Sequence, residues 1–163
     1  MLTILLVLND PVGPTSLFYN TLIQDYFTCI VKVLVLSASI FCILGSFSYI
    51  REEKINAFEY SLLILLAVLG MVLLASSYNL ISMYLAIELQ SLCLYVLAAF
   101  KKRSAFSTEA GLKYFILGAL SSGILLFGSS LIYGFTGTTS FEEIGKICTG
   151  LSTLGDVSYN GLL

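Results

Sequence analysis

NLISMYLAIELQSLCLYVLAAF, residues 79–100, carries one carboxylate, Glu88, near the middle of an otherwise apolar run. A helix needs about 20 such residues to cross the hydrocarbon core of a bilayer, so the run has spanning length. In a soluble protein it would be a buried core segment with an awkward acid. The whole chain decides against that: 58% of its 163 residues are hydrophobic, 11% are charged, and the mean hydropathy is +0.96. Soluble domains carry about 25% charged residues. The acid therefore lies at bilayer depth, where a charge costs about 2.5–3.5 kcal/mol on insertion scales and where ionisable groups mark ion or proton paths.

Working outward, three more runs of spanning length appear. The resulting expectation is a single all-α integral membrane domain over 1–163, with four spans at about 27–50, 57–78, 79–100 and 110–133. Residues 1–9, MLTILLVLN, are too short to span and lack the basic start and cleavage pattern of a signal peptide. They read as the remaining half of a helix or as a short interfacial segment. Pro11, Gly13 and Pro14 break any helix in 10–26. That stretch is expected to be a polar loop with a short interfacial helix around 17–23. Residues 76–79 form an uncharged turn. Ser107 or Thr108 is expected to cap the fourth span, which is rich in small residues. Gly118 with Ser122, and Ala119 with Gly123, are pairs four apart that let helices approach closely in lipid. Residues 134–163 turn Gly-, Ser- and Thr-rich and are expected to leave the membrane, with a short amphipathic surface helix at 140–148.

Charge sets the orientation. Arg51, Lys54, Lys101, Lys102 and Arg103 fall in two loops separated by two spans, hence on one side. The opposite loops carry mostly acids, with Lys146 the one base. By the positive-inside rule the 51–56 and 101–106 loops face the cytoplasm, or the matrix in a mitochondrion.

The same inventory excludes most soluble chemistry. The chain has no His and no Trp, and Cys29, Cys42, Cys93 and Cys148 show no metal-binding spacing. No basic cluster of the size that phosphate binding needs is present, so nucleic acid is not an expected partner. No Gly-rich phosphate loop, nucleophile–base pair or haem ligand pair is evident. Any catalysis must be transport or coupling inside a larger assembly.

Five ionisable residues are left to weigh. Glu88 shares a helix face with Ser91 and Tyr95, at i+3 and i+7, and has Tyr84 one turn before it and Gln90 nearby. A proton relay and a structural acid held by a hydrogen bond both fit this stripe, since both use the neutral form that removal from water favours. Lys113 follows Glu109 by four, the favoured order for a helix pair. The two form either a shallow interfacial pair or a group that tunes the proton affinity of acids nearby. Glu59, in the first turn of its span, reads as an interfacial charge. Lys32 reads as an anchor that snorkels back to the near interface.

The motifs IELQSL around Glu88, STEAGLKY around Lys113 and LGALSSGILLFGSSLIYG through the fourth span are specific. With the upstream INAFEYSLLILLAVLGM they resemble the antiporter-like membrane subunits of NADH–ubiquinone oxidoreductase (respiratory complex I). The likeness is to the subunit 2 type of plants and algae, and it covers roughly residues 50–145. It implies a proton-pumping subunit of the mitochondrial inner membrane, built in full members from about fourteen spans in two inverted repeats. The four spans then correspond to helices three to six, and 1–9 to the end of helix two. Glu88 corresponds to the family's essential glutamate of helix five, and Lys113 to a lysine near the start of helix six. The resemblance implies no cofactor in this chain: NADH, FMN, the iron–sulfur clusters and ubiquinone belong elsewhere in such a complex.

The family's partner for that glutamate is a lysine on helix seven, beyond the spans seen here. The expectation is a split subunit whose C-terminal part is a separate chain seated against the fourth span, with other membrane-arm subunits and lipid as further partners; the alternative is that these residues are part of a longer product. Two other readings stand beside it. One is a subunit of a multi-subunit cation/proton antiporter, which shares the superfamily and the glutamate. The other is a non-transporting structural membrane subunit.

Overall fold

The structure is a computed structural model that describes Thr3, Ile4, Val7 and residues 15–52, 57–101 and 104–150. Its elements in order are β1 (Thr15–Leu17), β2 (Leu22–Gln24), α1 (Tyr26–Glu52), α2 (Ala57–Ser76), α3 (Leu80–Ala98), α4 (Ala105–Thr136) and α5 (Phe141–Cys148). Helices α1 to α4 are all long and apolar enough to cross a membrane. Apolar runs of this length satisfy every backbone polar group internally only as helices, which is the condition for living in hydrocarbon. The four expected spans are therefore present, with ends shifted by a few residues. The second ends at Ser76 rather than 78, and the fourth runs from 105 to 136, about 48 Å at 1.5 Å per residue.

Neighbouring helices pack in chain order, α1 on α2, α2 on α3 and α3 on α4, with the α2–α3 contact the most extensive. That contact is close because Gly70 has no side chain. A Cβ there would lie 2.9 Å from the Gln90 backbone nitrogen and 3.1 Å from the Ala86 carbonyl oxygen. Ala67 of α2, nearly one turn before Gly70, and Ala86 and Cys93 of α3 are buried.

Two local expectations are corrected. Residues 17–23 do not form an interfacial helix. Thr15–Leu17 and Leu22–Gln24 pair as an antiparallel hairpin, with Thr15 opposite Gln24. Its turn holds Phe18, Tyr19 and Asn20 at φ of +52, +54 and +62°, a conformation that does not propagate a right-handed helix. The hairpin persists because its outer edge is used: Leu22 bridges to Ser77 in the α2–α3 turn. The cap of α4 is Ser104, whose side chain accepts from the Ser107 N–H at 3.4 Å, rather than Ser107 or Thr108. Of residues 1–9, Thr3, Ile4 and Val7 are described, and these are helical. The Val7 carbonyl accepts from Cys29 Sγ at 3.4 Å. The remainder of that expectation, and that for 151–163, lies outside the described residues.

The expected surface helix is present as α5. It belongs to a small extramembrane layer in which three distant segments meet. Tyr78 N–H donates to the Thr21 carbonyl at 3.0 Å, Leu80 N–H to Thr139 at 3.0 Å, and Phe141 N–H to Tyr78 at 3.2 Å. Ser82 Oγ, on the first turn of α3, donates to the Thr21 carbonyl at 3.1 Å. The hairpin, the 76–79 turn and the 137–148 segment thus lie on one side, as the charge pattern requires. Lys32 Nζ donates to Gln24 of β2, so the anchor reaches back toward that same side.

Candidate functional site

Helix α3 has two working faces. Ala86, Gln90 and Cys93 face α2, where the Gly70 notch admits the α3 backbone. Glu88 is two residues from both 86 and 90, about 200° round the helix, and so points the other way. Its stripe runs Tyr84, Glu88, Ser91, Tyr95 and Ala99, and this is the face that meets α4. Tyr95 is 8% exposed and lies over Gly118, where an added Cβ would fall 2.0 Å from the Tyr95 hydroxyl. Tyr114 and Phe115 of α4 meet the Tyr95 ring edge to face, with centroids 4.9 and 5.7 Å away. One turn further on, Ala99 lies against Gly111.

These contacts fix the antiparallel register of α3 and α4. They place Glu88 level with about residue 124 of α4, well inside the apolar part of the bundle. The Glu88 Oε1 atom is buried and has no hydrogen-bond partner among the described residues. Buried polar atoms without a partner are few in native proteins, and each calls for an explanation such as a missing water, ion or functional role. Tyr84 lies one turn earlier on the same face. Ser91 Oγ donates to the Glu88 backbone carbonyl at 3.1 Å and not to its carboxyl. Gln90 belongs to the α2-facing side and is no part of the stripe.

Lys113 and Glu109 form an ion pair, Nζ to Oε1 at 2.6 Å, with side chains 70% and 59% exposed. In the α3–α4 register Lys113 is level with residues 97–100, about ten residues or 15 Å along the helix from Glu88. The structure thus separates the two candidate groups in depth. Glu59 is exposed and lines a cavity of about 640 Å³ between α2, α3 and α4, together with Tyr95, Phe100 and Thr108.

One cluster is not evident from the sequence. Tyr78 donates its hydroxyl to Glu142 Oε2 at 2.9 Å, and Lys146 Nζ donates to Glu142 Oε1 at 2.6 Å. The Lys146 and Tyr78 hydrogen bonds, in that order, hold the Glu142 carboxyl below its ordinary value, while the bond to Glu142 raises the Tyr78 phenol. The Glu142–Lys146 spacing is legible as a helix pair; the tyrosine, 64 residues away, carries no local signal. It fastens α5 to the α2–α3 turn and does no chemistry at Glu88.

Comparison with known proteins follows the same lines. The family model described as NADH:quinone oxidoreductase/Mrp antiporter, TM matches residues 77–163. NADH-ubiquinone oxidoreductase chain 2 of Marchantia polymorpha is 56% identical over 151 residues, covering 92% of this chain and 31% of that protein. Among solved structures, a chain of respiratory complex I from Thermus thermophilus with bound aureothin superposes with a TM-score of 0.69 at 34% identity, covering 85% of this chain and 30% of that one. A chain of the membrane-bound sulfane sulfur reductase, an archaeal respiratory membrane complex, also gives 0.69, at 25% identity over 80% of this chain and 26% of that one. The chain spans about a third of the length of the relatives it matches. It belongs to the NADH:quinone oxidoreductase/Mrp antiporter family of membrane proteins.

Proposed function

We propose that this chain forms part of the membrane arm of a proton-translocating NADH:ubiquinone oxidoreductase in the mitochondrial inner membrane, with Glu88 as its proton-relay carboxylate. The observation that carries the reading is the Glu88 Oε1 atom, buried on the α4-facing side of α3 with no partner among the described residues. A structural acid would be expected to have both oxygens engaged, whereas a relay must give up and regain a proton. The polar stripe from Tyr84 to Tyr95 supplies hydroxyls along the route. Likeness to chain 2 proteins over nearly the whole of this chain supports the assignment to that complex.

Lys113 and Glu109 act at a distance in this scheme. Their pair sits about 15 Å from the acid by helix rise, so it biases the local potential and does not carry the proton. Redox chemistry is assigned to other subunits, which hold the NADH, flavin, iron–sulfur and quinone sites. Further helices of the family fold, from a C-terminal part of the same subunit, are proposed to cover α4. Whether they come on a separate chain is decided by the mass of the subunit in the native complex.

The test is Glu88→Gln in the assembled complex. The amide keeps shape and hydrogen bonding but cannot titrate. Proton translocation is expected to fall on the order of a hundredfold, the usual scale for loss of a positioned acid–base group, while assembly persists. Normal translocation by the assembled variant would refute the relay. The sulfane sulfur reductase match favours one second reading, the same fold serving a complex with another substrate. Mass spectrometry of the native complex separates them: flavin and iron–sulfur subunits of the NADH-oxidising type are expected in the first case only.

A further inference from the structure

Helices α2 and α4 both pack on α3, and at the end of the bundle opposite the hairpin they form the two walls of a groove with α3 as its floor. Among the described residues this groove is the cavity of about 640 Å³ at Glu59. The floor is closed where α3 and α4 touch: an added Cβ on Gly111 would fall 2.4 Å from that of Ala99. The lining is graded along the helix axes. Glu59 in the first turn of α2, Phe100 just past α3 and Thr108 in the first turn of α4 form the outer end. Tyr95 and Phe115 close the inner end, and the residues between are apolar. From Thr108 to Phe115 is about 10 Å of helix rise. Leu62, Val96, Leu112 and Phe115 are all exposed, so the groove opens sideways to whatever surrounds the bundle.

We infer that this groove binds one phospholipid with a primary ammonium in its headgroup, an ethanolamine phospholipid, with the ammonium at Glu59 and Thr108 and an acyl chain along the groove. The site is distinct from the Glu88 stripe and stands whether or not Glu88 relays protons. The lining matches the molecule in order: polar at the level where the helix ends meet the headgroups, apolar below. The volume falls within the roughly 300–1,000 Å³ of small-molecule sites, which are mostly apolar with a few placed polar groups.

The polar groups at the mouth select the headgroup. A carboxylate has two oxygens and about four acceptor positions, so Glu59 takes a further donor beside the contact it already makes. The Thr108 hydroxyl donates to the Ser104 carbonyl at 3.2 Å, which leaves its oxygen to accept. Both call for a donor, and the carboxylate calls for a positive one. A primary ammonium offers three N–H donors, as a lysine does, whereas a choline headgroup offers none. The Phe100 ring stands at the same level, fixed edge to face by Tyr60 at 5.8 Å. The exposed Lys101 follows it and suits the phosphate of the same headgroup. A helix laid over the groove would instead seal Glu59 from water, and burying a charge is costly.

Photolabelling of the assembled complex tests this. The complex is reconstituted into vesicles of phosphatidylethanolamine, phosphatidylcholine and cardiolipin. Each lipid is supplied in turn with a photoactivatable group on one acyl chain, and labelled peptides are identified by mass spectrometry. The ethanolamine probe is expected to label the 59–63, 95–100 and 108–115 segments about tenfold more than the choline probe, the scale of one charge-assisted hydrogen bond. Excess unlabelled phosphatidylethanolamine should compete it away. Glu59→Gln is expected to remove the preference, and Glu59→Asp to keep most of it. Equal labelling by the two probes in the parent would mean an ordinary boundary lipid and would overturn the site. Preferential labelling by cardiolipin would assign the mouth to basic residues and would also overturn it. No labelling by any probe would mean that a neighbouring helix fills the groove, with the same consequence. A preference for ethanolamine that survives in Glu59→Gln would overturn the role of the carboxylate. Should neither Glu59 variant assemble, the probe comparison in the parent still decides, and Leu63→Trp, which fills the groove from α2, is expected to abolish the labelling.

Discussion

Helices α3 and α4 are neighbours of similar composition, yet the chain treats them differently. In the most apolar stretch of α3, 22% of residues are buried, against none in that of α4. Over all 32 residues of α4 only Gly111 is buried. The glycines show why. Gly111 and Gly118 are occupied by Ala99 and Tyr95, whereas Gly123 and Gly128 have nothing within 4 Å among the described residues. Small residues in lipid-embedded helices serve close packing. On α4 the first half of that capacity is used by α3, and the second half faces outward. The acid on α3 is thus held on one side by this chain, through α2, and on the other by a helix that still has a bare flank. The contrast supports the proposal that other helices of the family fold complete the surroundings of Glu88.

The largest effect is expected at Gly118. Gly118→Leu would drive a side chain into the Tyr95 ring, and overpacking of this kind costs about 1–3 kcal/mol and more where backbone must shift. Loss of assembled complex on native gels is the expected result. Gly123→Leu is the sharper test of the bare flank. Among the described residues it meets open space, so it should be harmless if α4 faces lipid there. If other helices cover that flank, assembly falls nearly as far as with Gly118→Leu. We expect the fall, and equal assembly to the parent would contradict it.

A smaller effect is expected at the near end of α4. Lys113→Met, assayed beside Glu88→Gln in assembled complexes, should reduce translocation by less than the glutamate change, as its distance along the helix requires. An equal or larger loss would reverse the ranking of the two sites. The smallest effect concerns the extramembrane layer. Tyr78→Phe removes one bond to Glu142 and should speed amide exchange in α5 while leaving translocation unchanged. The pH dependence follows from the shifts. Glu142 has a depressed pKa, so its contribution to holding α5 is present above the ordinary carboxylate value of 4.5 and is lost as pH falls through the lower folded value. Tyr78 is raised, so its contribution is present below the ordinary phenol value of 10.0 and is lost only as pH rises through the higher folded value. Exchange in α5, corrected for intrinsic rates, should therefore be slow across the neutral range.

The spans were legible because their apolar runs have bilayer length, and Glu88 was legible because it interrupts one. Its face was half legible. Periodicity puts Tyr84, Ser91 and Tyr95 with it, but Gln90 is claimed by α2 through the Gly70 notch, and a notch is invisible until its occupant is known. The hairpin was not legible, since Phe18, Tyr19 and Asn20 adopt positive φ without a glycine to announce the turn. Its stability comes from Ser77, a long-range partner. Tyr78 with Glu142 is hidden for the same reason. The small residues of α4 announced close packing, but which of them α3 occupies depends on the register that Tyr95 and Ala99 set.

A relay carboxylate at Glu88 changes its protonation during turnover. Infrared difference spectroscopy of the assembled complex, before and after NADH-driven turnover, observes the carboxyl group itself. A protonated-carboxyl band is expected to change on turnover in the parent complex and to vanish from the difference spectrum in Glu88→Gln. A difference spectrum in the carboxyl region identical in the parent and in an assembled Glu88→Gln complex would contradict it.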